Sequence, residues 1–315
     1  MITENFSFLS HDRKTRIHAV RWLPNNRRVT GVLQIIHGMC EYMERYQSFA
    51  EYLTGKGYLV VGMDLVGHGQ SVSFKGDWGF FREKDPSGLL IEDIHTLEQM
   101  TREENPDIPY FIFGHSMGSY ILRKYLTIYP EGLSGAIICG TGYMQPAVTA
   151  GGLALIALLR RIRGWKYRSP MLEQLAFGKS YASFDMTGTE PANSWLTKDQ
   201  EIVRKYYRTP ECTFHFTLNG YQGLLECVFF DCRQKNADRI PADLPLYLVS
   251  GAEDPVGDAG VGVMKVYDML EKADRKDLMV HLFEGDRHEI LNELDRDMVY
   301  QDLADWMDRR KGNPA

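Results

Sequence analysis

Tyr110-Phe111-Ile112-Phe113-Gly114-His115-Ser116-Met117-Gly118-Ser119 is the stretch that decides the fold. The apolar run 110–113 reads as a buried strand, and Tyr120, Ile121, Lys124, Tyr125 and Ile128 then recur at the spacing of a one-faced helix. Ser116 falls at the turn between them. Gly114 and Gly118 carry no Cβ, so strand and helix can approach until the residue between takes strained dihedrals and its side chain is pushed outward. Such an elbow sets a hydroxyl at a helix N-terminus, where unpaired N–H groups favour the negative charge of an acyl-transfer intermediate. A Gly-rich turn with no chemistry would read the same way in isolation, so the partners of Ser116 carry the argument.

The rest of the chain supplies an alternating frame. Phe6 to Leu9 and Arg16 to Leu23 read as two antiparallel strands joined at His11-Asp12-Arg13-Lys14. Val29 to Ile36 and Tyr58 to Leu65 are apolar on both faces, as strands of a doubly covered sheet must be. Helical spacing marks 44–57, 87–104, 262–270 and 296–306, and further strands are expected at 133–139, 244–250 and 278–283. Strands alternating with helices predict an α/β chain with a mostly parallel, doubly covered sheet. Between Gly140 and about Asn236 the rhythm breaks, with helical stretches visible only near 150–163 and 198–208. This predicts a core of 1–141 and 237–315, and a mainly helical cap, 142–236, inserted after the sixth strand.

A serine needs a histidine to accept its proton and an acid to fix that histidine's tautomer. Both are expected in loops leaving later strands, acid first. The strand ending at Gly251 runs into Ala252-Glu253-Asp254-Pro255-Val256, and the one ending at Phe283 runs into Glu284-Gly285-Asp286-Arg287-His288. Ser116, Asp254 and His288 are therefore the candidate catalytic residues, with Glu253 and Asp258 as alternative acids. The amides of Met117 and of Met39, in His37-Gly38-Met39-Cys40, are the candidate oxyanion donors. His281 reads as strand lining, His215 as a cap residue, and His37, His68 and His115 as turn residues.

Composition narrows the function classes. The 315 residues carry a net charge of −6, from 36 basic and 42 acidic side chains without long single-sign blocks, which argues against a nucleic-acid partner. Five cysteines with no C-x-x-C pair do not resemble a disulfide framework, and Met1-Ile2-Thr3-Glu4-Asn5-Phe6 lacks the basic, then apolar character of a secretory signal. The expectation is a cytoplasmic protein. No His-x-x-x-His or clustered Cys/His spacing is present, so neither a metal nor a cofactor is expected. The oligomeric state is left open.

Five motifs together resemble the α/β-hydrolase superfamily, specifically its monoacylglycerol lipase and lysophospholipase group. They are His37-Gly38-Met39-Cys40-Glu41-Tyr42 with Arg45-Tyr46, Asp64-Leu65-Val66-Gly67-His68-Gly69-Gln70-Ser71, Gly114 to Ser119, Gly251 to Val256, and Gly285-Asp286-Arg287-His288-Glu289. Trp195-Leu196-Thr197-Lys198-Asp199 and Pro210-Glu211-Cys212-Thr213-Phe214 are similar to the cap of bacterial members. Cys40-Glu41-Tyr42 departs from the Gly-Glu-His that the family often has. The resemblance implies the α/β-hydrolase fold and carboxylester hydrolysis through an acyl-enzyme, on a monoacyl lipid or another small ester. Short-chain esterase, aminopeptidase or acyltransferase activity on the same scaffold, or ligand binding without catalysis, are the alternatives. In the cap, Leu153, Ile156, Leu159 and Ile162 fall at three-residue spacing, with Arg160, Arg161, Arg163, Lys166 and Arg168 gathered at and beyond the end of the stripe. One reading is a lid that offers Leu153, Ile156 and Leu159 to an acyl chain and cations to a lipid phosphate or a transiently contacted membrane surface. The other is a helix packed on the core whose basic end complements its dipole.

Overall fold

The computed structural model describes residues 1–178 and 180–312. Eight strands form one sheet: β1 (Ile2–Leu9), β2 (Arg16–Leu23), β3 (Gly31–Ile36), β4 (Tyr58–Met63), β5 (Tyr110–His115), β6 (Gly135–Cys139), β7 (Leu246–Gly251) and β8 (Leu278–Phe283). Their order is β1-β2-β4-β3-β5-β6-β7-β8. The hairpin β1–β2 and the β2–β4 pair are antiparallel, and every pair from β4 to β8 is parallel. This is the α/β-hydrolase fold.

The apolar strands are explained by two layers that share them. In β5, Phe111 and Phe113 point into the layer holding Phe49, Leu53, Leu303 and Trp306. Ile112 points the other way, among Leu90, Ile94, Ile121 and Val266. The first layer is built by α1 (Gln47–Gly55), the second by α2 (Pro86–Glu104) and α3 (Met117–Tyr125). Helix α1 is shorter than the expected 44–57, because Met43–Tyr46 forms a 3-10 turn ahead of it.

The mainly helical cap lies between β6 and β7. The segment between those two strands forms α4 (Pro146–Arg163), α5 (Pro170–Phe177), α6 (Gln200–Arg208), α7 (Leu218–Asp231) and α8 (Gln234–Ala237). Side chains of Ser169, Asp199 and Thr217 cap the N-termini of α5, α6 and α7. Helix α7 is absent from the sequence reading for a physical reason. It packs against α2, α3 and α4 together, so its buried residues surround the axis and leave no one-sided stripe. A Cβ on its Gly220 would lie 2.4 Å from the Gly79 carbonyl oxygen, so the helix breaker is what lets α7 close on the core. After the cap, α9 (Val261–Glu271) and α10 (Arg296–Asp308) complete the second and first layers.

Arg123 of α3 ties both ends of the cap to the core. Its buried guanidinium donates to the Thr141 hydroxyl and the Gly142 carbonyl, both at 3.4 Å, where the chain leaves the sheet. It also donates to the Asp231 carbonyl at 2.9 Å, where the chain returns.

Candidate active site

Ser116 stands between the last residue of β5 and the first of α3, with φ 53° and ψ −119°. A non-glycine residue in this region costs about 1–3 kcal/mol and persists only where its surroundings over-determine it. Here they do. The Ser116 N–H donates to the Cys139 carbonyl of β6 at 2.9 Å, and the Ser116 carbonyl accepts from the Ser119 hydroxyl at 2.6 Å. A Cβ on Gly118 would fall 2.1 Å from the Ile36 carbonyl oxygen, and one on Gly114 would fall 2.5 Å from that of Gly118. Helix α3 thus closes on its own strand β5 at Gly114, as the glycine spacing predicts, while Gly118 admits the neighbouring strand β3.

The loop after β7 carries Asp254 and the loop after β8 carries His288; both are buried. Asp254 Oδ2 lies 2.9 Å from His288 Nδ1 and accepts from the Ser250 hydroxyl at 3.1 Å, while Oδ1 accepts from the Val256 N–H at 2.8 Å. A carboxylate that accepts from Nδ1 holds the proton there and leaves the Nε2 lone pair free. Glu253 and Asp258, the alternative acids, are exposed. The His288 ring has two aromatic neighbours: His115, directly before the serine, at 4.7 Å between centroids, and Trp195 of the cap at 5.1 Å. No hydrogen bond joins the Ser116 hydroxyl to His288 in the structure; such contacts commonly tighten only in the Michaelis complex.

The candidate oxyanion donors are held from behind. His37 Nε2 accepts from the Leu65 N–H at 2.9 Å, so its proton sits on Nδ1, which donates to the Gly38 carbonyl at 2.8 Å. Burial lowers the pKa of His37, which keeps this neutral tautomer. The Gly38 carbonyl and the Met39 N–H belong to one peptide unit, so anchoring the oxygen fixes the direction of the N–H. Met117 opens α3, where no preceding turn offers its N–H an acceptor. Cys40 takes φ 55°, a conformation that suits glycine, and its thiol donates to the Phe214 carbonyl of the cap at 3.2 Å.

Behind the serine lies a buried charge network. Arg45 bridges Glu41 (2.6 Å) and Glu289 (2.7 Å), and Glu41 also accepts from the Gly38 N–H at 3.0 Å and the Tyr46 hydroxyl at 2.6 Å. Since the Tyr46 proton goes to Glu41, His115 Nδ1 must donate to the Tyr46 oxygen at 3.2 Å, while Nε2 donates to the His288 carbonyl at 3.2 Å. Both ring nitrogens are donors, so His115 is an imidazolium. Burial disfavours that charge, but the Glu41 carboxylate outweighs it and raises the His115 pKa. Burial likewise opposes the charge on Glu41, yet Arg45 and His115 hold its carboxyl well below the usual range. A cavity of about 10 Å³ among these groups has room for about one water. Sequence reasoning quoted Glu41, Arg45 and Glu289 only as motif residues; their pairing joins positions 41 and 289 and has no local signal.

A family model for hydrolases described as serine aminopeptidase S33 matches residues 27–295. The chain belongs to that family. It is 25% identical to the monoacylglycerol lipase of Mycolicibacterium smegmatis over 292 residues, covering 91% of this chain and 90% of the relative. It is 24% identical to the mouse monoglyceride lipase over 297 residues, 92% of this chain and 86% of that one. Among solved structures, a thermostable carboxyl esterase from Bacillus coagulans in complex with glycerol matches with TM-score 0.88 and 30% identity, over 98% of this chain and 99% of that chain. This protein is thus a hydrolase of the α/β-hydrolase superfamily.

The cap residues singled out in this hydrolase divide between two environments. Ile156 is buried, Leu159 packs against the core cluster, and Leu153 is half-buried. Ile162, at the same three-residue spacing, is 71% exposed, and Leu158 and Val148 join it on the outside. Helix α4 is therefore apolar almost all round up to Leu159, which neither a purely packed helix nor a one-faced lid requires. Among the described residues no helix is long and apolar enough to cross a membrane. One group there could gather around a cation, His18, Glu44 and Asp64, but the oxygens of Asp64 already accept from the Met43 and Gln70 N–H groups and face His18 Nδ1.

Proposed function

We propose that this hydrolase is a serine carboxylester hydrolase that works through an acyl-enzyme on a monoacyl lipid, a monoacylglycerol or lysophospholipid. Ser116 Oγ attacks the ester carbonyl carbon while His288 Nε2 takes the hydroxyl proton. The amides of Met39 and Met117 hold the oxyanion. The tetrahedral intermediate collapses as the C–O bond to the alcohol breaks and His288 returns the proton to the leaving oxygen. Water then repeats the sequence on the acyl-serine, releasing the fatty acid. Asp254 keeps His288 in the required tautomer throughout.

The observation that carries this reading is the buried Asp254–His288 contact of 2.9 Å, with the His288 ring 4.7 Å from that of His115, the residue before a serine held at positive φ at a helix N-terminus. The monoacyl substrate is supported by the lipases that the chain resembles and by the cap, which we take to span 142–236 and to act as a lid. The outward Val148, Leu158 and Ile162 of α4, together with the Arg160, Arg161 and Arg163 of its last turn, suit a transient contact with an anionic lipid surface. The family description favours a second reading, an aminopeptidase. Such an enzyme needs a free carboxylate for the substrate's ammonium group, and Glu41 and Glu289 are both already paired with Arg45.

A panel of monoacylglycerols, lysophospholipids, p-nitrophenyl esters and aminoacyl amides decides between the two. Fastest turnover of a monoacyl lipid, lost in Ser116→Ala, is the expected result. Preference for aminoacyl amides would overturn it, as would an active Ser116→Ala.

A further inference from the structure

The cap segment 192–198 is stitched to the loop that carries His288. The carbonyls of Trp195 and Leu196 accept from the His288 and Glu289 N–H groups at 3.4 and 2.7 Å. Arg287 reaches back to the carbonyls of Ala192 (3.1 Å) and Ser194 (2.5 Å), and the Thr197 hydroxyl donates to the Asn292 carbonyl at 2.9 Å. Glu293 locks the arrangement from beneath. It is fully buried, with one carboxylate oxygen accepting from the Arg287 N–H at 2.9 Å and the other from the Lys198 N–H at 3.0 Å. By contrast, no side chain of α4 makes a hydrogen bond to the core among the described residues. One part of the cap is thus hydrogen-bonded into the histidine loop, while α4 is held by apolar packing, with Ile156 buried and Leu155 and Leu159 against the core.

What this seam delivers to the site is the Trp195 indole. Its ring lies 5.1 Å from the His288 imidazole with 31° between planes. It is itself wedged by Tyr181, edge-on at 5.2 Å, and by Phe177 at 6.3 Å. Asp254 grips only one atom of His288. Rotation of an imidazole about its terminal torsion is soft, so a single hydrogen bond at Nδ1 leaves the far nitrogen free to tilt. A flat aromatic neighbour restricts that tilt.

We propose that Trp195 is a positioning residue for His288, and that the seam 192–198 holds it there so that Nε2 is aligned with Ser116 before the ester arrives. The proposal rests on His288 being the general base. It implies that substrate enters by displacement of α4, with the seam staying in place. A misplacement of about 1 Å in a reacting group can cost about a hundredfold in rate, so loss of the indole should be felt in the chemical step.

The test compares Trp195→Leu and Trp195→Phe with wild type on p-nitrophenyl butyrate, reading kcat, KM, melting temperature and the rate of Ser116 labelling by a fluorophosphonate. The Leu variant should lose about tenfold or more in kcat and in labelling rate with KM within about twofold. The Phe variant, which keeps a flat ring, should recover most of both. An unchanged kcat in Trp195→Leu, a loss confined to KM, or a Phe variant no better than Leu would overturn the proposal. If Trp195→Leu does not fold, Glu293→Gln keeps the indole but turns an amide N–H₂ towards a backbone N–H of the seam. It should show the same kcat-selective loss, and normal kcat there would count against the seam. An inert wild type, or an active Ser116→Ala, would instead refute the serine-hydrolase reading and take this proposal down with it.

Discussion

Replacing Asp254 with Asn is the most informative single change, because the hydrogen bonds around it leave the amide no good orientation. Three donors point at this carboxylate: Val256 N–H at Oδ1, and the Ser250 hydroxyl and His288 Nδ1 at Oδ2. If the Asn amide oxygen stays with Val256, its N–H₂ faces His288 Nδ1, which must then give up its proton. The imidazole becomes the Nε2–H tautomer and can no longer accept a proton from Ser116. If the amide flips, His288 keeps its tautomer but the amide N–H₂ opposes the Val256 N–H in a buried site, at a cost of about 1–3 kcal/mol. The first arrangement is therefore favoured. Where an Asp-to-Asn change has produced this wrong tautomer in a serine protease, kcat fell about 10⁴-fold, equivalent to roughly 5 kcal/mol of transition-state stabilisation. We expect a loss of that order in Asp254→Asn, measured as steady-state hydrolysis of p-nitrophenyl butyrate at pH 7.5, with the far-ultraviolet circular dichroism unchanged. A loss of less than tenfold in a folded variant would refute the assignment of Asp254 as the orienting acid.

Three further outcomes follow from the geometry. Gly118→Ala would drive a methyl into the Ile36 carbonyl 2.1 Å away, so thermal denaturation should reveal destabilisation of about 2 kcal/mol or more, together with loss of activity; a wild-type melting temperature would contradict the packing described. Asp231 is buried with Oδ2 unpartnered among the described residues, and burial raises its pKa to about 7 against the opposing pull of Arg123 and Lys124. The folded state then holds a proton that the unfolded state has released above about pH 4, so this group costs stability increasingly as pH rises from about 4 to about 7, and the cost levels off above that. Asp231→Asn should consequently raise the melting temperature at pH 8.5 while changing it little at pH 4, and equal effects at both would exclude the buried carboxyl as the cause. Leu158→Ser combined with Ile162→Ser should slow turnover of a monoacylglycerol presented in anionic vesicles several-fold and leave p-nitrophenyl acetate untouched; a parallel fall on both substrates would point to damage in the fold instead.

What could be read in the sequence was local. Gly114 and Gly118 announce the elbow because close backbone approach tolerates nothing larger. Asp254 and His288 stand out as candidates because each follows a short strand by a few residues, and the structure brings the two within 2.9 Å. The strands themselves were legible because β3, β4 and β5 are buried on both faces and carry no polar alternation. Contacts made only in three dimensions were not legible. Helix α7 packs on three neighbours and so lacks a stripe, and the Glu41–Arg45–Glu289 bridge joins the two ends of the chain. The place of Trp195 beside His288 depends on a seam whose bonds are largely to main-chain carbonyls, which any sequence would offer. In α4 the three-residue spacing suggested a single face, whereas Ile156 is buried and Ile162 faces water.

The central claim is that one hydroxyl, that of Ser116, becomes covalently acylated. Treating the protein with a fluorophosphonate and mapping the adduct by mass spectrometry tests it most directly. The account predicts one adduct per chain, on the peptide containing Ser116, and none in Ser116→Ala. A modification at another residue, or unimpaired ester turnover with Ser116 removed, would contradict it.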